Sequence, residues 1–188
     1  VPTVDSLVSV DARYWFGYRY VADRLSGNAT LASIYDRPPR TTEAIIHRYE
    51  PGTEPPANLS VTATASRWDT DRRGRVGELG TRIALLATLN DSRAAAGADG
   101  WGNDLLRSFE RDGETGYVWV TRWDDAENES EFRTALTTAL DRRARRTDAG
   151  WRDGPTAFEV RRGDDRTAVV VAGPPSFVRN TSVSVGRP

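Results

Sequence analysis

The chain has 188 residues and a formal net charge of -1, with no Cys, no Met and a single His, His47. That length suits one medium-sized domain or a compact pair sharing a core, and 38% hydrophobic with 28% charged residues is a foldable composition rather than a disordered or collagen-like one. Missing Cys excludes a disulfide framework, a thiol nucleophile and Cys-ligated metal, and the lone imidazole excludes any site needing two His of this chain.

The N-terminal third reads as helical and aromatic-rich. Tyr14, Tyr18, Val21 and Leu25 recur at helical spacing between Asp11, a capping residue, and Gly27, a terminator. Aromatics at that spacing usually bury area, so the stripe is expected in the core. A short helix around Leu31 to Tyr35 stops before Pro38-Pro39, and Thr41-Thr42-Glu43 offers a hydroxyl cap for one more turn ending near His47. Tyr49 to Ala57, with four Pro and Gly positions, is a loop.

Leu59, Val61, Ala63 and Ala65 alternate with Ser and Thr from Asn58 to Ser66, the pattern of an edge strand. A polar stretch leads to a helix with Val76, Leu79, Ile83 and Leu86 on one face; Ala94 to Ala98 forms a second, and Trp101 between Gly100 and Gly102 is a packing anchor at a turn. Leu105 to Arg111 and Gly116 to Trp123 read as a hairpin around Asp112-Gly113, with Tyr117, Trp119, Thr121 and Trp123 on one face and Val118 and Val120 on the other. A helix capped by Asp124 or Asp125 runs to about Arg145 with Phe132, Ala135, Leu136, Ala139 and Leu140 as its stripe. Thr156 to Arg161 and Thr167 to Ala172 form a second hairpin turning through Arg162-Gly163-Asp164-Asp165, and the tail after Pro174-Pro175 is expected to be loosely held. The hairpin-helix-hairpin order gives an antiparallel sheet covered by helices behind N-terminal helices, an α+β fold. The division expected is a helical segment 1–57 and an α+β sheet region 58–188, together one compact unit.

All 26 basic residues are Arg, which suggests a GC-rich genome such as a halophile's. A chain that opens at Val1 without any Met is expected to have lost a leader or a longer N-terminal portion. Of six Asn, five lie in Asn-x-Ser/Thr: Asn28, Asn58, Asn90, Asn128 and Asn180. Ser and Thr fill roughly one position in six, so chance would place about one Asn in such a sequon. Capping and turn preferences explain one or two more. The excess marks these five as N-glycosylation sites of an extracellular or cell-surface protein, each expected at an exposed turn or helix end.

Chemistry is harder to find. The pairs Asp124-Asp125, Asp164-Asp165, Asp69/Asp71 and Glu127/Glu129 fall where capping and the helix dipole already favour acids, and none forms a calcium loop. No phosphate-binding glycine loop or Gly-x-Ser-x-Gly elbow occurs. The Arg run Arg142 to Arg146 suits a helix C-terminus, and the net charge argues against nucleic acid. Arg162-Gly163-Asp164 spells an adhesion tripeptide but reads as a turn with Gly at positive φ. His47 reads as a structural residue. The sequence thus offers no catalytic residue, no metal ligand set, no cofactor and no membrane span.

Several blocks together resemble a known family. Tyr14-x-x-Gly17-x-x-Tyr20-Val21, Tyr35-x-x-Pro38-Pro39-x-Thr41-Thr42-Glu43-x-Ile45-Ile46-His47, Gly77-Glu78-Leu79-Gly80, Gly100-Trp101-Gly102-Asn103-Asp104, and Trp119-x-Thr121-Arg122-Trp123-Asp124 with Glu131-Phe132 resemble the C-terminal half of a surface-protein family of haloarchaea and bacteria. That family is similar to zinc metallopeptidases of the gluzincin type. The resemblance spans most of Asp11 to Ala172. In members that look catalytic, an HExxH helix and a later Glu supply the metal ligands and general base, N-terminal to this region. No position here matches them, so the resemblance carries over no ligand or base, and Glu43 and His47 belong to another motif. The family pattern has Pro after that His where this chain has Arg48, which leaves the local turn open.

These readings converge on a non-enzymatic, N-glycosylated surface protein with a structural or interaction role, a degenerate or partial relative of a metallopeptidase. Its expected partners are N-linked glycans, further copies of itself or other surface proteins. Two alternatives stay open: the C-terminal supporting module of an active zinc metallopeptidase, and a filament or adhesin subunit pairing through the strand around Leu59 to Ala65.

Overall fold

The computed structural model describes residues 4–186, with side chains from Asp11 onward. Three helices come first, α1 (Val4–Ser26), α2 (Leu31–Asp36) and α3 (Thr42–Ile46), followed by strands β1 (Ser60–Ala65) and β2 (Asp69–Gly74). Helices α4 (Gly77–Leu86) and α5 (Asp91–Ala96) precede the hairpin of β3 (Trp101–Arg111) and β4 (Glu114–Trp123), then α6 (Ala126–Arg143). The chain closes with β5 (Arg145–Thr147), β6 (Gly150–Asp153), β7 (Thr156–Asp164), β8 (Thr167–Gly173), α7 (Pro175–Asn180) and β9 (Thr181–Gly186). The fold is α+β. Among the described residues no helix is long and apolar enough to cross a membrane.

A seven-stranded antiparallel sheet in the order β2-β3-β4-β8-β7-β6-β5 is the centre of the molecule. Asp112 and Gly113 both take positive φ, 51° and 79°, as a tight two-residue hairpin turn requires, and they pair Arg111 with Glu114 and Leu105 with Val120. This register sends Val118, Val120, Val169 and Val171 to one face, where they pack with Phe109, Phe177 and Trp68. Trp119 and Trp123 go to the other, against Phe132 of α6. Helices α4, α5 and α6 share a further apolar cluster of Leu85, Leu89, Ala94 and Ala139.

Helices therefore cover one face, as expected, while the other is closed by a two-stranded ribbon of β1 and β9 together with α7. This corrects the reading of the tail as loosely held. Thr181 to Gly186 pairs antiparallel with Ala65 to Ser60 along the full length of β1, so the strand read as an open edge has a partner within the chain. The ribbon was hidden because β9 alternates Val with Ser, and half-buried strands of that kind show only in pairs. Strand β2 is exposed throughout and gives no hydrophobic alternation, and β5 and β6 span only three and four residues; none was legible by periodicity.

Two further expectations are corrected. Tyr14 and Tyr18 are 76% and 69% exposed, whereas Tyr20 is 3% exposed. Tyr20 lies about 120° around the helix from Tyr14 and about 160° from Tyr18, so the face of α1 turned toward α3 and α4 excludes both. Gly163 lies inside β7 at a register shift between Arg162 and Asp164 and is absent from the positive-φ glycines. The turn is made by Asp165 and Arg166, with the Arg166 N–H donating to Asp164 Oδ1 at 2.8 Å.

Candidate functional site

The segments around Glu43, Glu78, Asp99 and Asp124 are far apart in the chain but meet where α3, α4 and the turns leading into β3 and out of β4 come together. Helix α3 starts at Thr41, whose Oγ1 accepts the Ala44 N–H at 3.0 Å, and ends at His47, its C-terminal cap. Glu43 and His47 are four residues apart and share one side of this short helix. Arg48 follows at φ 59°. Proline cannot take that conformation.

Helix α4 is docked at its start by two contacts. The N–H groups of Val76 and Gly77 donate to the Asp104 carboxylate at 2.7 and 3.1 Å, a cap supplied from β3. The Leu79 N–H donates to Thr42 Oγ1 at 3.2 Å. Asp104 is itself held by the Trp119 indole N–H at 2.9 Å; burial pushes its carboxyl above the usual range despite these three donors.

So anchored, α4 carries Glu78 into the interior, fully buried. One turn on, Arg82 donates to Glu78 Oε1 from Nε at 2.9 Å and from a terminal nitrogen at 2.5 Å. His47 Nε2 lies 3.1 Å from each Glu78 oxygen and 3.5 Å from Asp99 Oδ1. The His47 ring stacks on Tyr49, centroids 5.3 Å apart. Hydrogen bonding to Glu78 raises the imidazole pKa, burial opposes this, and the Glu78 and Asp99 charges add to it.

Asp99 stands at the mouth, its side chain 57% exposed. It precedes Gly100, which holds φ 69° and accepts the Asp124 N–H at 2.9 Å. Glu43 is the anomaly. It is 3% exposed, and among the described residues no hydrogen bond or ion pair reaches its carboxyl. Burial first, then the charges of Asp124, Glu78 and Glu54, push its pKa up to about 8, with His47 pulling the other way. Asp124 is also raised, by burial and by Glu54, Asp125 and Asp99. Glu78 and Asp99 thus meet one imidazole, with the Arg82 guanidinium on Glu78. Chemically the arrangement can hold a proton, a cation or an ion-pair network. Sequence reading missed it because Glu78 and Asp99 belong to no motif with His47.

The acid pairs singled out from sequence resolve differently. Asp125 caps α6, accepting from the Glu127 and Asn128 N–H groups. Glu129, expected at a helix start, is fully buried and ion-paired to Arg133 at 3.0 Å and Arg162 at 3.3 Å. Asp164 binds Arg122 at 2.8 Å, which pins the Arg-Gly-Asp tripeptide at both ends. The Arg run is engaged as well: Arg142 donates to the Thr88 carbonyl, Arg143 pairs with Asp153 and Arg146 with Asp141.

Four sequon asparagines are exposed. Asn28 lies between α1 and α2 at φ 75°, and Asn58 just before β1. Asn90 caps α5, its Oδ1 accepting the Arg93 N–H, and Asn180 ends α7 with its amide donating to the Ser176 carbonyl. Asn128, in the first turn of α6, is half-buried, and a Cβ on Gly100 would fall 2.4 Å from its side chain.

A family model described as a domain of unknown function (DUF8575) matches residues 61–181. The match takes in Glu78, Asp99 and Asp124, with Glu43 and His47 ahead of it. No curated protein and no solved structure matches the chain.

Proposed function

The chain belongs to the DUF8575 family, and we propose that it works as a non-enzymatic, N-glycosylated domain outside the cell or on its surface, with a structural or interaction role and a partial kinship to gluzincin-type metallopeptidases. The placement of the sequons carries this reading. Asn28, Asn58, Asn90 and Asn180 are exposed residues between or at the ends of helices and strands, which is where a glycan has room to project. The test is glycopeptide mass spectrometry of the natively produced, exported protein. Glycan on at least two of these four is the expected outcome; unmodified Asn at all five positions overturns the reading.

A second reading, a module supporting an active zinc metallopeptidase, draws on a separate observation. Tyr14, Trp15 and Tyr18 of α1 are exposed, as are Leu31 and Tyr35 of α2. An apolar surface of this kind suits contact with another protein part. An HExxH helix encoded upstream of Val1 in the same reading frame favours this reading, and a signal peptide directly before Val1 removes it.

A further inference from the structure

We propose that His47, Glu78 and Asp99 hold a divalent cation, so that one ion ties together α3, α4 and the turn before β3. The site is not the HExxH constellation, and it stands whether or not the sequons carry glycan.

The spacing is the first argument. One ligand atom from each of the three residues lies within 4.8 Å of the others. Nε2 of His47 is 3.1 Å from Glu78 and 3.5 Å from Asp99. A tetrahedral ion with bonds of about 2.0–2.1 Å sets its ligands roughly 3.3 Å apart, so two edges of such a polyhedron are already formed.

The charge balance is the second argument. The Glu78 and Asp99 carboxyls lie on one imidazole, and Glu43, 3% exposed, is on the same short helix as His47, an excess of carboxyls over the Arg82 guanidinium that is costly unless something positive sits among them. A cation supplies that charge. Arg82 occupies only Oε1 of Glu78, which leaves Oε2 for the ion while the guanidinium fixes the carboxylate, the usual work of a group behind a metal ligand. Asp99, the exposed member, provides the way in.

The donor set selects the ion. One imidazole with two carboxylates and no thiolate suits Zn2+ or Mn2+ over Ca2+, which prefers an all-oxygen shell of six to eight ligands, and over Cu+. In a chain without Cys, such an ion is a substitute for a covalent cross-link between the helical segment and the sheet.

The experiment uses the full chain made in bacteria, hence without glycan, stripped with chelator and titrated with ZnCl2, MnCl2 and CaCl2 by calorimetry. Asp99→Asn is the decisive variant because its side chain is solvent-facing and the fold survives its loss; His47→Gln is the second, each checked by circular dichroism. Saturable uptake of one Zn2+ or Mn2+ per chain, weakened at least about 10-fold by Asp99→Asn and about 100-fold by His47→Gln, is the expected result. Uptake of Ca2+ alone, no saturable uptake, or uptake that both substitutions leave unchanged overturns the proposal. Since the material carries no sugar, failure here leaves the glycan reading untouched, and the reverse also holds.

Discussion

Nε2 of His47 stands 3.1 Å from both oxygens of a Glu78 carboxylate that has no contact with water. With Arg82 on Oε1, the imidazole is the second of two groups held against this fully buried carboxyl. Removing one member of such a pair leaves the rest uncompensated, at a cost of about 3 kcal/mol or more.

Glu78→Gln is therefore expected to lower the melting temperature of the metal-free protein by about 6–12 °C, taking roughly 2–4 °C per kcal/mol for a chain of this size. Differential scanning calorimetry in excess chelator reads this. A variant that melts with the parent would show that the network contributes nothing to folding.

Glu43 gives a pH signature in the same metal-free protein. Its folded pKa is raised from 4.5 to about 8, so between those values the folded state holds a proton that the unfolded state has released. Stability is then fully present below about pH 4.5, declines as pH rises toward 8 and levels off beyond it. Asp124, Glu78 and Glu54 face the group and raise it, and His47 lowers it. The raised His47 contributes in the same direction, its share being lost as pH climbs through its own folded value. Urea midpoints at pH 5 and pH 8 are expected to be lower at pH 8 for the parent and closer together for Glu43→Gln. A parent that is more stable at pH 8 contradicts the assignment.

Asn128 is expected to differ from the other sequons. Its amide is packed against Gly100, where a Cβ would approach within 2.4 Å, and a sugar on that nitrogen needs the same space. In exported protein, site occupancy by mass spectrometry should be lower at Asn128 than at Asn28, Asn58, Asn90 and Asn180. Equal occupancy at all five would mean that this turn opens before glycan transfer. Gly100→Ala should destabilise by about 2 kcal/mol or more, since it combines that clash with a positive φ of 69°.

The legible parts of the chain were those where one strand or helix carries its whole signal. Asp112-Gly113 between alternating strands, and Phe132 through Leu140 on α6, needed no partner to be read. The ribbon of β1 and β9 did: β1 showed its alternation alone, but its partner lies 121 positions on, from Ser60 to Thr181, and β9 is too short of apolar residues to be read by itself. The candidate site failed to show for a related reason. His47, Glu78 and Asp99 come from three elements, and the contacts that set them together, Asp104 on the start of α4 and Thr42 on Leu79, are polar and non-local, so no periodicity records them. Tyr14 and Tyr18 misled in the opposite sense: a regular stripe gives the period of a helix without saying which side has a neighbour.

Phe177 is the residue that makes the tail part of the core. It is fully buried between Trp68 and Phe109, with ring centroids at 4.9 and 5.5 Å, and it lies on Gly116 of β4, where a Cβ would come within 2.4 Å of the ring. Phe177→Ala should cost about 3–5 kcal/mol by transfer and cavity formation. Gly116→Ala has no open space to use and should cost about 1–3 kcal/mol through overpacking. Because both effects concern one contact, the double variant Gly116→Ala/Phe177→Ala is expected to be more stable than the sum of the singles by about 1 kcal/mol, the smaller side chain yielding room for the new methyl. Chemical denaturation of the four proteins gives the coupling. Strict additivity would mean that α7 is not seated on β4 in solution, and the ribbon of β1 and β9 would then lose the element that joins it to the sheet.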